Sequence, residues 1–343
     1  MLEGSIYQVL GRETGKVSVR LLADSPIYAA HFPGQPITPG VVLLQIALEV
    51  MGRELVQARN IKFLVPVPPS ADGPVLQFSW TEDAGQTDLT IGLPDGTLIA
   101  RMSLVTRDPR FVVVIPTYNN AGTVKDVVER VQATGLPVIV VNDGSTDGTE
   151  ALLSALPGIT VVTLPRNHGK GKALRCGFEK AREMGYRFAL TIDADGQHFP
   201  EDIPVLLEAA GENTLVVGSR NIRADGMASS STFANRFSNG TFTFLTFCRL
   251  PDTQTGYRLY PLDRLPSLSV LSARYEAEVI LLVFSAWKGM DLKPVPVRVI
   301  YPEDRISHFR PTADFLRIFV TYWILFVIAV FYGWPRTLLR RIF

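Results

Sequence analysis

Two rhythms of apolar and polar residues divide this chain of 343 residues, and the change falls near Asp108. Before it, Lys16 to Leu22 alternates polar with apolar residues as a half-buried strand does. Pro39-Gly40 then opens VVLLQIALEVMGREL, which the pattern predicts as one apolar helix. IKFLVPV, VLQFSW, TDLTIGL and TLIARMSLV follow as short β-rich runs separated by Pro, Gly and Asp, so an α+β domain with an antiparallel sheet is expected. From Arg107-Asp108-Pro109-Arg110 onward, FVVVIPTYNN, PVIVVNDGS, ITVVTLPRN, FALTIDADG and TLVVGSR read as apolar strands with helical stretches between several of them. That alternation predicts a parallel, doubly wound α/β sheet.

A third pattern closes the chain. Ile318 to Trp334 reads IFVTYWILFVIAVFYGW, uncharged, with Arg310 and Arg317 before it and Arg336, Arg340 and Arg341 after it. The run is slightly shorter than the ~20 residues a spanning helix prefers, and basic flanks on both sides give no orientation. Its tryptophans, tyrosines and basic ends predict membrane association, with spanning and lying flat both open, against the plainer reading of a buried core helix. The expected organisation is therefore residues 1–107, 108–312 and a membrane-associated segment 313–343. MLEGSIYQVLGRETG lacks the apolar core and cleavage site of a secretory signal, so the cytoplasmic face of the membrane is the expected location.

With 34 basic against 33 acidic side chains, the chain lacks the electrostatic footprint of a nucleic-acid binder. Cys176 and Cys248 form no C-x-x-C pair, which leaves a disulfide framework or structural zinc site without support.

In an open α/β sheet ligands bind beyond the carboxyl ends of the strands. Here those ends read Pro116-Thr117-Tyr118-Asn119, Asn142-Asp143-Gly144-Ser145 and Asp193-Ala194-Asp195-Gly196-Gln197. In an extended segment Asp193 and Asp195 can face one side, while a tight turn brings Gln197 alongside, and such hard oxygen ligands suit Mg²⁺ or Mn²⁺. A lone D-x-D is more often a solvated loop that caps the next helix. This one follows an apolar strand, comes after VVNDGSTDGT and continues as DADGQHFPEDIP. Together the motifs resemble the family 2 glycosyltransferases of the GT-A fold, in particular the dolichyl- and polyprenyl-phosphate sugar synthases.

The resemblance implies a nucleotide-sugar donor, with Asp143 at its base or ribose and Pro116, Thr117 and Tyr118 forming the pocket. It also implies that Asn167-His168-Gly169-Lys170-Gly171-Lys172-Ala173 brings backbone amides or a lysine, taken as Lys172, near the donor. That segment is not a P-loop, because Arg166 and Ala173 stand where the first glycine and the hydroxyl are required. Asp147 reads as a turn or helix-cap residue.

Gly218-Ser219-Arg220 and Asn235-Arg236-Phe237-Ser238-Asn239 resemble the family's acceptor-side motifs, whose arginines bind phosphate. Asp252-Thr253-Gln254-Thr255-Gly256-Tyr257-Arg258 matches its D-x-x-x-G-[FY]-R pattern, and Tyr275-Glu276-Ala277-Glu278 resembles a later acidic motif; the resemblance implies that both border the acceptor site. Ser307-His308-Phe309-Arg310-Pro311 offers a basic cluster to lipid phosphate. Asp252 is the candidate catalytic carboxylate, needed as a general base by a hydroxyl acceptor but not by a lipid or polyprenyl phosphate, which is already ionised. The resemblance implies inversion at the sugar carbon.

In the first part, His31-Phe32-Pro33-Gly34-Gln35-Pro36-Ile37-Thr38-Pro39-Gly40-Val41 resembles the signature of hot-dog-fold β-hydroxyacyl-acyl-carrier-protein dehydratases. The resemblance implies His31 as general base and a homo-oligomer, since hot-dog sites combine residues of two subunits. Fourteen residues after the histidine, where that family carries Glu or Asp, stands Gln45, an amide that cannot donate and recover a proton. Glu49, one turn on, is the possible substitute. The domain is thus expected either to dehydrate a hydroxyacyl thioester with His31 and water, or to present an acyl chain on an acyl carrier protein or lipid to the transferase; a thioesterase is the third option. For the whole chain, the rivals are a bifunctional enzyme of acyl-lipid synthesis and a silent membrane scaffold. The set Asp193, Asp195 and Gln197 argues against the scaffold.

Overall fold

The computed structural model describes residues 2–31, 34–83, 86–220, 229–266, 276–300 and 311–342. Phe32, Pro33, Tyr275 and Ser307 to Arg310, named above, lie outside the described residues. The chain divides into two compact units, Met1–Pro109 and Arg110–Phe343.

The first unit runs β1 (Tyr7–Glu13), β2 (Lys16–Leu21), α1 (Ile27–Ala30), α2 (Gly40–Met51), β3 (Glu54–Phe63), β4 (Val75–Asp83), β5 (Gln86–Gly92) and β6 (Leu98–Arg107). Its sheet is antiparallel throughout in the order β1-β2-β4-β5-β6-β3. Leu43, Ile46, Ala47 and Val50 of α2 follow helical spacing and meet Val17, Val19, Leu76, Phe78, Ile91 and Leu104 in one core. The helix is shorter than its apolar pattern suggests. Gly52 takes φ +64°, its N–H and that of Arg53 close back onto the carbonyls of Glu49 and Leu48, and Leu55 joins β3 instead. Strand β1, with one buried side chain, Tyr7, carried too little alternation to be read.

The second unit contains β7 (Phe111–Thr117), α3 (Val124–Gln132), β8 (Val138–Asn142), α4 (Thr149–Ala155), β9 (Ile159–Thr163), α5 (Lys170–Glu183), β10 (Phe188–Thr191), α6 (Ile203–Glu208), β11 (Thr214–Ser219), α7 (Ser229–Thr246), β12 (Arg258–Pro261), α8 (Glu276–Lys288) and β13 (Asp291–Pro296). They form a seven-stranded sheet in the order β13-β11-β12-β10-β7-β8-β9, with apolar clusters against both faces. Every residue of β7 and β8 is buried, which is why those strands read as unbroken apolar runs. The doubly wound sheet is not wholly parallel. β12 runs antiparallel to both β10 and β11, and this reversal brings the segment Asp252 to Arg258 against the ends of those two strands.

The chain ends in α9 (Pro311–Ile328), a π turn at Ala329–Gly333 and α10 (Trp334–Ile342). Phe319–Arg340 is long and apolar enough to cross a membrane, with mean hydropathy 1.4. Tyr322, Leu325 and Ala329 are nevertheless packed into the core with α7 and α8, while Phe319, Val320, Trp323, Ile324, Val327 and Phe331 are exposed. The segment is thus apolar on two faces, one docked on protein and one exposed.

Candidate active site

Local hydrogen bonds shape the rim at the carboxyl ends of β7 and β8. Asn119 adopts φ +53°, so its N–H reaches Ser145 Oγ (3.0 Å) and its Oδ1 accepts the N–H of Thr146 (2.8 Å). Asp147 accepts the N–H groups of Thr149 (3.1 Å) and Ala121 (2.9 Å) and so ties the same two loops. Pro116 and Thr117 are buried and Tyr118 is half-buried beside them. Asp143, almost fully buried, accepts the N–H of His168 at Oδ1 (2.8 Å) and of Gly169 at Oδ2 (2.7 Å). It therefore also fixes the loop that launches α5.

That loop delivers a lysine to the D-x-D segment, but not Lys172. Lys170 Nζ lies 2.7 Å from Asp193 Oδ1 and 2.9 Å from Glu278 Oε2. Lys172, two residues along the helix and so about 200° around it, is aimed elsewhere and pairs with no described acid. Burial opposes the charge of Lys170, and the two carboxylates more than restore it, raising its pKa. Burial likewise opposes ionisation of Asp193, and Lys170 outweighs it, holding the carboxyl below its usual range. Backbone presses close here: a Cβ on Gly256 would stand 2.7 Å from Lys170 Nζ and 2.5 Å from Asp193 Oδ2. Asp195 accepts the N–H of Gln197 (3.0 Å) across a turn in which Gly196 has φ +74°, so the two aspartates and the amide share one bend. Among the described residues no three His, Cys, Asp or Glu side chains gather as a metal site. The expected set has only two carboxylates, and its donor chemistry, two carboxylates with an amide, fits a hard divalent ion that keeps positions for phosphate oxygens.

On the other side of β12, Arg220 at the end of β11 makes a bidentate pair with Asp252, Nε to Oδ2 at 2.6 Å and Nη2 to Oδ1 at 3.0 Å. Asn235 Nδ2 (2.8 Å) and the N–H of Gln254 (3.1 Å) also donate to Asp252, which has no exposed surface. Burial would raise this carboxyl's pKa, but Arg220 prevails and keeps it low. A carboxylate saturated with donors and held below its usual pKa is a weak base and an effective anchor. Arg236, on α7, is exposed.

His198 connects the two sides. It is buried beside Tyr257, with ring centroids 5.0 Å apart, and its Nδ1 has no hydrogen-bond partner among the described residues. Burial pushes its pKa down to about 4, with Asp193 acting against that and Arg220 and Lys170 adding to it. One imidazole thus feels the charges of both clusters, and the buried Arg258, which donates to the carbonyls of Glu278 and Thr253 (both 2.8 Å), bridges them in space. Glu278, expected at the border of the acceptor site, pairs instead with Lys170 beside Asp193, while His198 and Asn235 stood in motifs without a role of their own. Only DADGQH, which already holds the candidate metal ligands, carried a signal for one of them.

In the first unit, Gln45 is exposed on α2, with Nε2 3.5 Å from Glu49 Oε1. Glu49 accepts the N–H of Leu2 (2.8 and 3.0 Å) and the Tyr7 hydroxyl (3.3 Å). Burial and Glu49 push the Tyr7 phenol up to about 12. These residues, with Val41, Leu44 and Leu48, line a cavity of about 650 Å³. His31, half-buried at the end of α1, is not among its lining residues.

Comparison with known proteins agrees with this division. Residues 112–262 match the family described as glycosyl transferase family 2, and residues 9–101 that described as ApeI dehydratase. The chain is 30% identical over 211 residues to the undecaprenyl-phosphate mannosyltransferase of Micrococcus luteus, covering 57% of this chain and 85% of that protein. It is 28% identical over 221 residues to the UDP-N-acetylglucosamine–dolichyl-phosphate N-acetylglucosaminyltransferase of Methanococcus voltae, covering 57% and 88%. A crystal structure of glucosyl-3-phosphoglycerate synthase from Mycobacterium tuberculosis with Mn²⁺, UDP-glucose and phosphoglyceric acid is 21% identical, with TM-score 0.43, covering 63% of this chain and 79% of that one. The chain belongs to the family 2 glycosyltransferases, carried behind an ApeI-like, hot-dog dehydratase-like domain.

Proposed function

We propose that the protein transfers a sugar from a nucleotide-sugar donor to a polyprenyl-phosphate acceptor at the cytoplasmic face of a membrane. The observation that carries this reading is the pair of unlike clusters on either side of β12: Asp193, held by Lys170, and Asp195 on one side, the Arg220–Asp252 pair on the other. Pro116, Thr117, Tyr118 and Asp143 bound the nucleotide pocket. Asp193, Asp195 and Gln197 hold Mg²⁺ or Mn²⁺, which when bound neutralises charge on the departing diphosphate. Arg220, fixed by Asp252, orients the acceptor phosphate, and the exposed Arg236 adds charge at the entrance. An ionised phosphate oxygen then forms the bond to the anomeric carbon while the bond to the nucleoside diphosphate breaks on the opposite face, with inversion. No proton is abstracted, in keeping with the saturated Asp252.

Because one stripe of α9 is packed on protein, the exposed stripe fits a helix lying along the lipid surface better than a spanning one. For the first unit, an acyl-binding role suits Gln45 and the 650 Å³ cavity, and an acyl carrier protein is the candidate partner. All ten residues of the edge strand β3 are exposed, Leu55, Val56, Ile61 and Phe63 included, which supports pairing with a second copy.

The test is a screen of nucleotide sugars with Mn²⁺ or Mg²⁺ against undecaprenyl phosphate in vesicles. Sugar appearing on the lipid phosphate is the expected result. Transfer only to hydroxyl-bearing lipids would instead favour the acyl-lipid reading and return the search to a general base.

A further inference from the structure

A buried chain of hydrogen bonds joins the C-terminal helix to Arg220. The Tyr322 hydroxyl lies 2.7 Å from Ser238 Oγ, which lies 2.9 Å from Thr253 Oγ1. Thr253 donates its N–H (3.0 Å) and hydroxyl (2.8 Å) to Asn239 Oδ1. Asn239 Nδ2 donates to Asn235 Oδ1 (2.7 Å), and Asn235 Nδ2 to Asp252 Oδ1 (2.8 Å), whose two oxygens hold Arg220.

The hydrogens run one way. Since the Thr253 hydroxyl proton is spent on Asn239, Ser238 must donate to Thr253, and Tyr322 must then donate to Ser238. Each link from the helix to the carboxylate is donor to acceptor in the same sense, the arrangement in which successive bonds polarise one another. Ser238, Thr253, Asn235 and Asp252 are all buried, so any unmade link strands a polar group away from water.

Packing alone does not call for this. Tyr322 sits on an otherwise apolar stretch, and its ring already meets Phe237 edge-on at 6.1 Å, a contact that phenylalanine would keep. We propose that Tyr322 is a positioning residue, which sets the Asp252 carboxylate and through it the Arg220 fork when α9 is seated. The proposal rests on Arg220 as the phosphate ligand and adds that its geometry is governed from the lipid-facing helix.

The full-length Tyr322→Phe protein tests it, using co-sedimentation with phosphatidylcholine vesicles containing or lacking undecaprenyl phosphate. Measured well below either melting midpoint, the part of binding that depends on the phosphate lipid should weaken ~10-fold and binding to plain vesicles stay unchanged, while the midpoint itself falls by only a few degrees. Ser238→Ala should do the same, and the double variant should be no worse than either single one. Unchanged phosphate-lipid binding by Tyr322→Phe overturns the proposal, as does a loss that merely tracks a lower melting midpoint. Arg220→Lys separates the two ideas. If it leaves phosphate-lipid binding intact, the acceptor reading itself fails; if it weakens binding and Tyr322→Phe does not, only the link to the helix is lost.

Discussion

On the donor side Asp193 and Glu278 share the Lys170 ammonium and feel the buried Arg258, and Asp195 makes three carboxylates to two cations, so that cluster carries a net negative charge. On the acceptor side Asp252 faces one guanidinium, Arg220, and accepts further bonds from Asn235 and Gln254, so that cluster is neutral and filled. The first is half-buried and the second closed from solvent around Asp252, and both contain carboxylates held ionised by a cation. The difference shows what each can still take up. The first has charge left for a dication; the second can only hold its arginine still and leave that arginine's field for an incoming anion.

The largest effect is expected where the contrast is sharpest. Asp195→Ala should lower metal-dependent transfer by ~10³-fold or more, because it removes an oxygen ligand and several kcal/mol of charge stabilisation without touching the core. Transfer and Mn²⁺ affinity, the latter by electron paramagnetic resonance, should fall together. If Mn²⁺ affinity is unchanged, the donor-side assignment is wrong.

Asp252→Ala should act through stability instead. It removes the bidentate carboxylate that holds the largely buried Arg220 side chain, so a loss of about 3 kcal/mol in urea unfolding is expected. A loss under about 1 kcal/mol would mean that Arg220 escapes to water and that the acceptor cluster is not closed.

The smallest effect belongs to His198. Its folded pKa of about 4 lies below the unfolded value near 6.5, so the unfolded chain binds the proton first as pH falls. Its contribution is fully present above the unfolded value and is lost as pH drops toward the folded one, roughly 2 kcal/mol between pH 7 and pH 5. His198→Gln should flatten that part of the stability profile. A profile with the same slope in both proteins would show that His198 titrates normally and does not sit between the clusters.

Much of this was legible because buried parallel strands write themselves as apolar runs, and each such run ended in a polar motif. Asp193, Asp195 and Arg220 stand out that way, whereas Asp252 is marked only by the match to the D-x-x-x-G-[FY]-R pattern. Their partners do not stand out: Lys170 reaches Asp193 from a helix start, Glu278 from another helix, and Asn235 reaches Asp252 across 17 residues. Local spacing holds no record of such meetings. Choosing Lys172 over Lys170 shows the cost, since helical phase decides between them and the loop sequence does not fix that phase. The four-residue β12, too short to declare a period, hid the reversal that puts Asp252 beside Arg220.

Gly256 gives the site an unusual way to be lost. A methyl group there would press on the ends of two side chains, Asp193 and Lys170, and not on backbone, so the chain can accommodate it by letting those ends part. Drift at this position would thus erase the charge arrangement while sparing the fold. In a lineage released from selection for sugar transfer, descendants carrying alanine there would still express, still melt normally and still be taken for enzymes by their outline.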